Sequence, residues 1–193
     1  MQQNFWQKNK TLIIVLVIVV ILAFWVVGKY NFFVNQNEAI TGQWAQVESQ
    51  LQRRFDLIPN VINTVKGITK QEKDVFSQLA DARSRYAGSS TIDQKATAAG
   101  QVESSLGRLL VIAENYPVLQ SSQSFRDLTV ELEGTENRIS VERMKYNDLV
   151  KSLNANVKMF PNSILASIFG VKERSYFEVT TGAEAVPKVD FSQ

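Results

Sequence analysis

Cysteine and histidine are both absent from the 193 residues. The first absence excludes a disulfide framework, lipoprotein acylation and a thiolate nucleophile. The second removes the commonest metal ligand and the side chain best suited to proton transfer near neutral pH. Four prolines and nine glycines are few for this length and favour helices. Charge of one sign is also lacking. Three of the 21 basic residues (Lys8, Lys10 and Lys29) and none of the 19 acids fall in the first 30 positions, so the remainder is close to neutral. A near-neutral domain has no electrostatic footprint for nucleic acid.

No charge falls between Lys10 and Lys29, and Leu12 to Val27 is an unbroken apolar run. About 18 such residues suffice to cross the hydrocarbon core as a helix. A cleaved signal peptide needs small residues at its exit. Here the exit reads Phe24-Trp25-Val26-Val27-Gly28-Lys29-Tyr30, so an uncleaved anchor is expected. Phe5, Trp6, Trp25 and Tyr30 stand where an interfacial aromatic belt belongs. By a margin of one charge, the positive-inside rule places the N-terminus inside and the domain outside a bacterial membrane.

The rest of the chain carries helical periodicity. Trp44, Leu51, Ile58, Val65, Leu79 and Tyr86 lie on one seven-residue track, interrupted by Glu72, with Ile40, Val47, Val61, Ile68 and Val75 beside it. Pro59 predicts a kink or break near Phe55–Pro59, with Asp56 as a candidate cap. Because the apolar phase passes Pro59 unchanged, one kinked helix to Tyr86 is the expectation. After a loop at Ala87–Thr91, a helix begins at Thr91 or Asp93 and reaches about Glu114. Its inward face is Ile92, Ala96, Ala99, Val102, Leu106, Leu109 and Ala113. Gly100 and Gly107 beside that face predict close approach of a neighbouring helix.

Phe125, Leu132, Ile139, Tyr146, Leu153 and Phe160 repeat every seven residues without a miss. This predicts a helix of about 36 residues. Phe160-Pro161 ends it, and Asn162-Ser163 begins a short amphipathic helix, Ile164 to Phe169. Val171 to Gln193 reads as extended chain, with two short strands turning near Gly182 as one arrangement. The fold class is all-α: an N-terminal transmembrane helix (1–30), an elongated antiparallel helical bundle (31–161), then the short helix and an extended C-terminal tail (162–193).

The segments Gln50-Leu51-Gln52-Arg53-Arg54-Phe55-Asp56-Leu57-Ile58-Pro59-Asn60 and Thr64-Val65-Lys66-Gly67 closely resemble the signature of the LemA family. So do Leu106-Gly107-Arg108-Leu109, Glu114-Asn115-Tyr116-Pro117, Glu136-Asn137-Arg138-Ile139 through Arg143, Tyr146-Asn147, and Val186-Pro187-Lys188-Val189-Asp190-Phe191. The resemblance covers essentially the whole chain. It implies a bacterial membrane protein with one N-terminal span and a helical bundle. It also implies association with membrane zinc metalloproteases of the HtpX type, in a scaffold or adaptor role. After Gly67 the family often carries an aromatic residue and a histidine, whereas Ile68-Thr69-Lys70-Gln71-Glu72 stands here.

Arg53, Arg54 and Asp56 are candidates for an anionic head group or a partner carboxylate. They are equally placed to pair with Glu133 and Glu136 on the long helix, since the planar guanidinium matches a carboxylate. With Pro59, Asn60, Asn137, Arg143, Tyr146 and Asn147 they make a structural or partner-binding network. In the tail, Tyr176, Phe177, Val179, Val189 and Phe191 form a candidate interface to a neighbouring subunit. Glu133 and Glu136 with Glu103, Glu114 or Glu142 resemble di-iron carboxylates, but that chemistry uses paired Glu-x-x-His motifs. No Gly-rich phosphate loop or nucleophile elbow is present. No catalytic residue, cofactor or metal is therefore expected. The expected function is that of a self-associating, bilayer-anchored scaffold.

Overall fold

The computed structural model describes residues 9–66 and 73–178. Six helices account for most of them, and no strand occurs among the described residues. Helix α1 runs Lys10–Lys66, 57 residues in one element. Its first part is the apolar run, and Leu12 to Leu22 are all exposed among the described residues. It is long and apolar enough to cross a membrane. A helix meets that environment well because its backbone groups are satisfied internally.

Pro59 lies inside α1, and no break occurs there. The proline withholds one donor from the turn before it. Phe55, Ile58 and Val61 are nonetheless buried on both sides of it, so packing holds the helix together. Asp56 caps nothing: it is exposed within α1, and Gln52 Nε2 donates to its carboxylate at 2.8 Å.

The expectation of one helix to Tyr86 is corrected. Helix α2 is a separate element, Lys73–Gly88. The Phe55 and Tyr86 rings lie 4.1 Å apart. One continuous helix would place those residues about 46 Å apart at 1.5 Å per residue. The track through Val65, Leu79 and Tyr86 stays in phase because both helices bury that track in one core, not because they are one helix. Ile68 and Glu72 fall at 67–72, outside the described residues.

Helix α3, Ile92–Ala113, starts on a capping box. Gln94 N donates to Thr91 Oγ1 at 3.2 Å, and Thr91 N donates to Gln94 Oε1 at 3.4 Å. This satisfies two otherwise orphaned donors. Of the predicted face, Ala96, Ala99, Val102, Leu106, Leu109 and Ala113 are buried, joined by Ala98 and Ser105, while Ile92 is only half-buried. The close-approach reading fails at Gly107, which is exposed and where an added Cβ would meet nothing within 4 Å. Helix α4 is one turn, Pro117–Ser121, opened by proline at its first position and fixed by the fully buried Leu119.

Helix α5 spans Gln123–Lys158, 36 residues. Phe125, Leu132, Ile139, Tyr146 and Leu153 are all buried. Phe160, sixth in the repeat, lies beyond the helix end and is 81% exposed. Helix α6, Asn162–Ile168, follows. Leu165 and Ala166 are buried, while Ile164 and Ile168 are exposed beside the exposed Ser167. Gly170, at φ 69°, ends it in the left-handed region that glycine enters without penalty. The chain to Glu178 has no regular structure, and the expected strands have no counterpart in that stretch.

The described residues divide into two compact units. One contains the chain up to Gly42 together with Asp148–Arg174. The other contains Gln43–Asn147 together with the tail from Ser175. In the second, α1 and α5 run antiparallel, since Trp44 meets Tyr146 while Arg54, farther along α1, meets Glu136, earlier on α5.

Candidate functional site

Within the unit built on Gln43–Asn147, the expected network is real only in part. Arg54 is buried and forms an ion pair with Glu136. Arg53 and Asn137 lie on exposed surface, as does Asn60, whose carbonyl accepts from Thr64 Oγ1 at 2.9 Å. Arg54 Nε is buried without a hydrogen-bond partner among the described residues. The arginine therefore acts through one fork only.

Glu103 was not singled out as part of this network. Burial, with the negative charge of Glu136 added to it, raises its carboxyl above the ordinary 4.5; Arg54 and Arg143 pull it partly back. A carboxyl with a raised folded-state value binds more protons folded than unfolded. Stability is then greatest below the ordinary carboxylate value and falls as pH rises through the raised one. Glu103→Gln is expected to increase thermal stability at pH 7 and to leave it unchanged near pH 4. Melting curves of the two proteins across that range check this.

Tyr86 faces the same core from α2. Its hydroxyl is buried with no partner among the described residues. Burial first, and the charge of Glu48 second, push the phenol up to about 12. The Lys95 ammonium lies 5.8 Å from the ring centroid and pairs with Glu48. An unsatisfied buried hydroxyl is a net cost, so Tyr86→Phe is expected to be neutral or to stabilise by up to about 1 kcal/mol. Urea unfolding of the pair measures it.

Tyr146 and Asn147 act on the tail. Tyr146 is fully buried, and its hydroxyl donates to the carbonyl of Ser175 at 3.1 Å. The Asn147 amide makes two bonds to one residue: Nδ2 donates to the Phe177 carbonyl at 3.1 Å, and Phe177 N donates to Oδ1 at 2.8 Å. The Phe177 side chain is buried 5.8 Å from the Trp44 ring, with the Arg143 guanidinium 6.0 Å from its own ring centroid. Phe177 thus packs into its own chain. Tyr176 is exposed. Val179, Val189 and Phe191 lie outside the described residues.

The other unit repeats the device. Asn154 Nδ2 donates to the Arg174 carbonyl, and Arg174 N donates to Asn154 Oδ1, both at 2.9 Å. The Arg174 guanidinium reaches Asn37 Oδ1 at 3.1 Å. Sequence reasoning missed Asn154 and Arg174. The available signal was the spacing: Asn147 and Asn154 each directly follow a residue of the buried heptad, Tyr146 and Leu153. In this unit a cavity of about 560 Å³ is lined by Tyr30, Phe33, Asn37, Phe169, Lys172 and Arg174, among others.

Neither unit assembles a metal centre from the expected carboxylates. Among the described residues, no group of three or more carboxylates is placed to hold an ion. Glu133 and Glu114 are exposed. Glu142 is bonded to Lys145 at 2.8 Å and Gln43 Nε2 at 2.6 Å, and these bonds, the lysine's first, lower its carboxyl.

The LemA family pattern covers residues 43–191. The chain belongs to the LemA family. It is similar to the magnetosome protein MamQ 1 of Paramagnetospirillum magneticum, 28% identical over 176 residues, covering 78% of this chain and 65% of that protein. MamQ of Magnetospirillum gryphiswaldense is 29% identical over 175 residues, covering 77% of this chain and 64% of that relative. The chain thus spans a little under two thirds of the length of these relatives. As a LemA protein it is a membrane-associated helical protein with one candidate span.

Proposed function

We propose that this LemA protein is a non-enzymatic, single-pass membrane scaffold whose helical bundle binds other copies of itself. The observation that carries the reading is the continuity of α1, which passes from the apolar run into the bundle as one 57-residue helix. The asparagine clamps support the same reading, because they spend their polar groups on the chain's own backbone rather than on a ligand. The N-terminus lies inside and the bundle outside, by the lysines that precede the span.

Crosslinking in native membranes followed by affinity purification tests this. Crosslinks between bundle residues of two copies are the expected result. A zinc metalloprotease crosslinked to the bundle, without self-crosslinks, would replace the scaffold with a regulator that presents or withholds substrates. A single cysteine at Val111, labelled from either face of sealed vesicles, reads the orientation cleanly because the chain has no other thiol.

A further inference from the structure

The unit that contains the anchor presents a second apolar surface. Phe160 is 81% exposed and Ile168 71%, with Met159 and Ile164 also exposed. Ile164 and Ile168, spaced by four on α6, share one face, and Phe160 lies just before that helix begins. The opposite face of α6 is used: Asn162, Leu165 and Ala166 are buried, and Asn162 Nδ2 donates to Asn156 Oδ1 at 3.2 Å. Large apolar side chains left exposed together mark a surface that meets another apolar phase.

Two contacts fix the level of this surface relative to the span. A hydrocarbon core of about 30 Å takes about 20 helical residues, so a span entering at Leu12 leaves near Asn31. Tyr30 therefore lies at the boundary, and its ring meets Phe169 at 5.2 Å, edge to face. That places the end of α6 at the boundary. Independently, Gln36 Nε2 donates to Ser152 Oγ at 3.4 Å between two antiparallel helices. Tyr30 lies six residues before Gln36, and Lys158 six residues after Ser152. Both displacements are about 9 Å in the same direction. The end of α5, and Met159 and Phe160 directly after it, are thus level with Tyr30 as well. With both ends at one level, α6 lies along the boundary plane, the orientation of an interfacial helix.

We infer that the α5–α6 corner is a second membrane contact, with Phe160, Ile164 and Ile168 inserted into the interfacial layer of the lipid bilayer beside the anchor. The occupant is lipid because the surface continues from the apolar run of α1 at the level where that run ends. Lys158 flanks the corner with its ammonium exposed and paired to Glu173 at 2.8 Å, as suits a headgroup layer. The second contact would hold the emerging helix at a set tilt, which a single span alone does not.

This inference rests on α1 crossing a bilayer, and the test separates the two. Single cysteines at Ile164, Ile168, Val19 and Val111 are each labelled with a nitroxide in the full-length protein, reconstituted in vesicles of phosphatidylethanolamine and phosphatidylglycerol. Collision rates with oxygen and with a water-soluble nickel chelate are compared. All four parent side chains are exposed, and circular dichroism checks that helicity is kept. The expected result is an oxygen-to-nickel ratio at 164 and 168 several-fold above that at 111 and close to that at 19. A ratio at 164 and 168 equal to that at 111, with 19 in lipid, overturns the inference and leaves the anchor standing. Low access to both reagents at 164 and 168 means that protein covers the corner, a second copy included, and also overturns it. An aqueous signature at 19 overturns the anchor itself, and the inference with it.

Discussion

Replacing Arg54 with alanine is expected to destabilise the bundle by about 3 kcal/mol. Arg54 is a buried cation that pairs with Glu136 and also offsets the charge between Glu136 and Glu103. Removing it leaves two carboxylates facing each other in a partly desolvated setting. Most of the loss comes from those uncompensated charges, not from the missing bond itself. The double replacement Arg54→Met with Glu136→Leu removes both charges and keeps the volume. It is expected to recover most of the loss, because a buried pair seldom outperforms well-packed apolar side chains. Thermal unfolding of the full chain in detergent, followed by circular dichroism, should show the alanine variant melting about 6–12 °C lower, with the double variant within a few degrees of the parent. Equal destabilisation of both would mean that the pair holds the helices in register.

Phe177→Ala is expected to release the tail while leaving the helices folded. Phe177 is buried beside Trp44, and its backbone is held at both N–H and carbonyl by Asn147. Burial lost by truncating a core phenylalanine is worth about 3 kcal/mol. A tail without regular structure opens locally, so the cost falls first on the opening of the tail. Hydrogen exchange at the Phe177 amide should accelerate about 100-fold, the factor that corresponds to nearly 3 kcal/mol. The melting temperature should fall much less than with Arg54→Ala. With Trp6 and Trp25 replaced by phenylalanine, the emission of Trp44 should shift to the red as its neighbour leaves. Asn147→Leu should produce the same local opening by removing the two backbone bonds. If the amide stays protected while the whole bundle melts early, the tail is an integral part of the core.

These two sites differ in how far the sequence exposes them. The α5 seam is legible because an antiparallel bundle repeats its contacts every seven residues, and Phe125 through Leu153 repeat without a miss. Arg54 and Glu136 are foreseeable as partners, since a buried arginine needs a carboxylate. Glu103 is not, because the groups that act on it, Glu136, Arg54 and Arg143, lie on α5 and α1, and the spacing along α3 does not name them. The asparagine clamps are the hardest to read. An amide that bonds backbone leaves no side-chain pattern on the segment it holds, so nothing at Arg174 or Phe177 names its partner. Two errors have plain causes. Tyr86 keeps the phase of Val65 although a separate helix carries it, because both elements serve the same core. Phe160 keeps the phase of Leu153 beyond the end of the helix, where phase no longer predicts burial.

We propose above that the bundle brings copies of this protein together at a membrane, and counting those copies is the test. The full chain carries one dye at a cysteine replacing Gln7, ahead of the span and kept when the bundle is deleted, and is extracted into polymer-bounded discs cut from native membranes at low expression. Stepwise photobleaching then counts the dyes in each disc. The scaffold account predicts two or more steps in most discs, falling to one when the bundle is deleted and the span kept. One step per disc at every expression level, with or without the bundle, would contradict it.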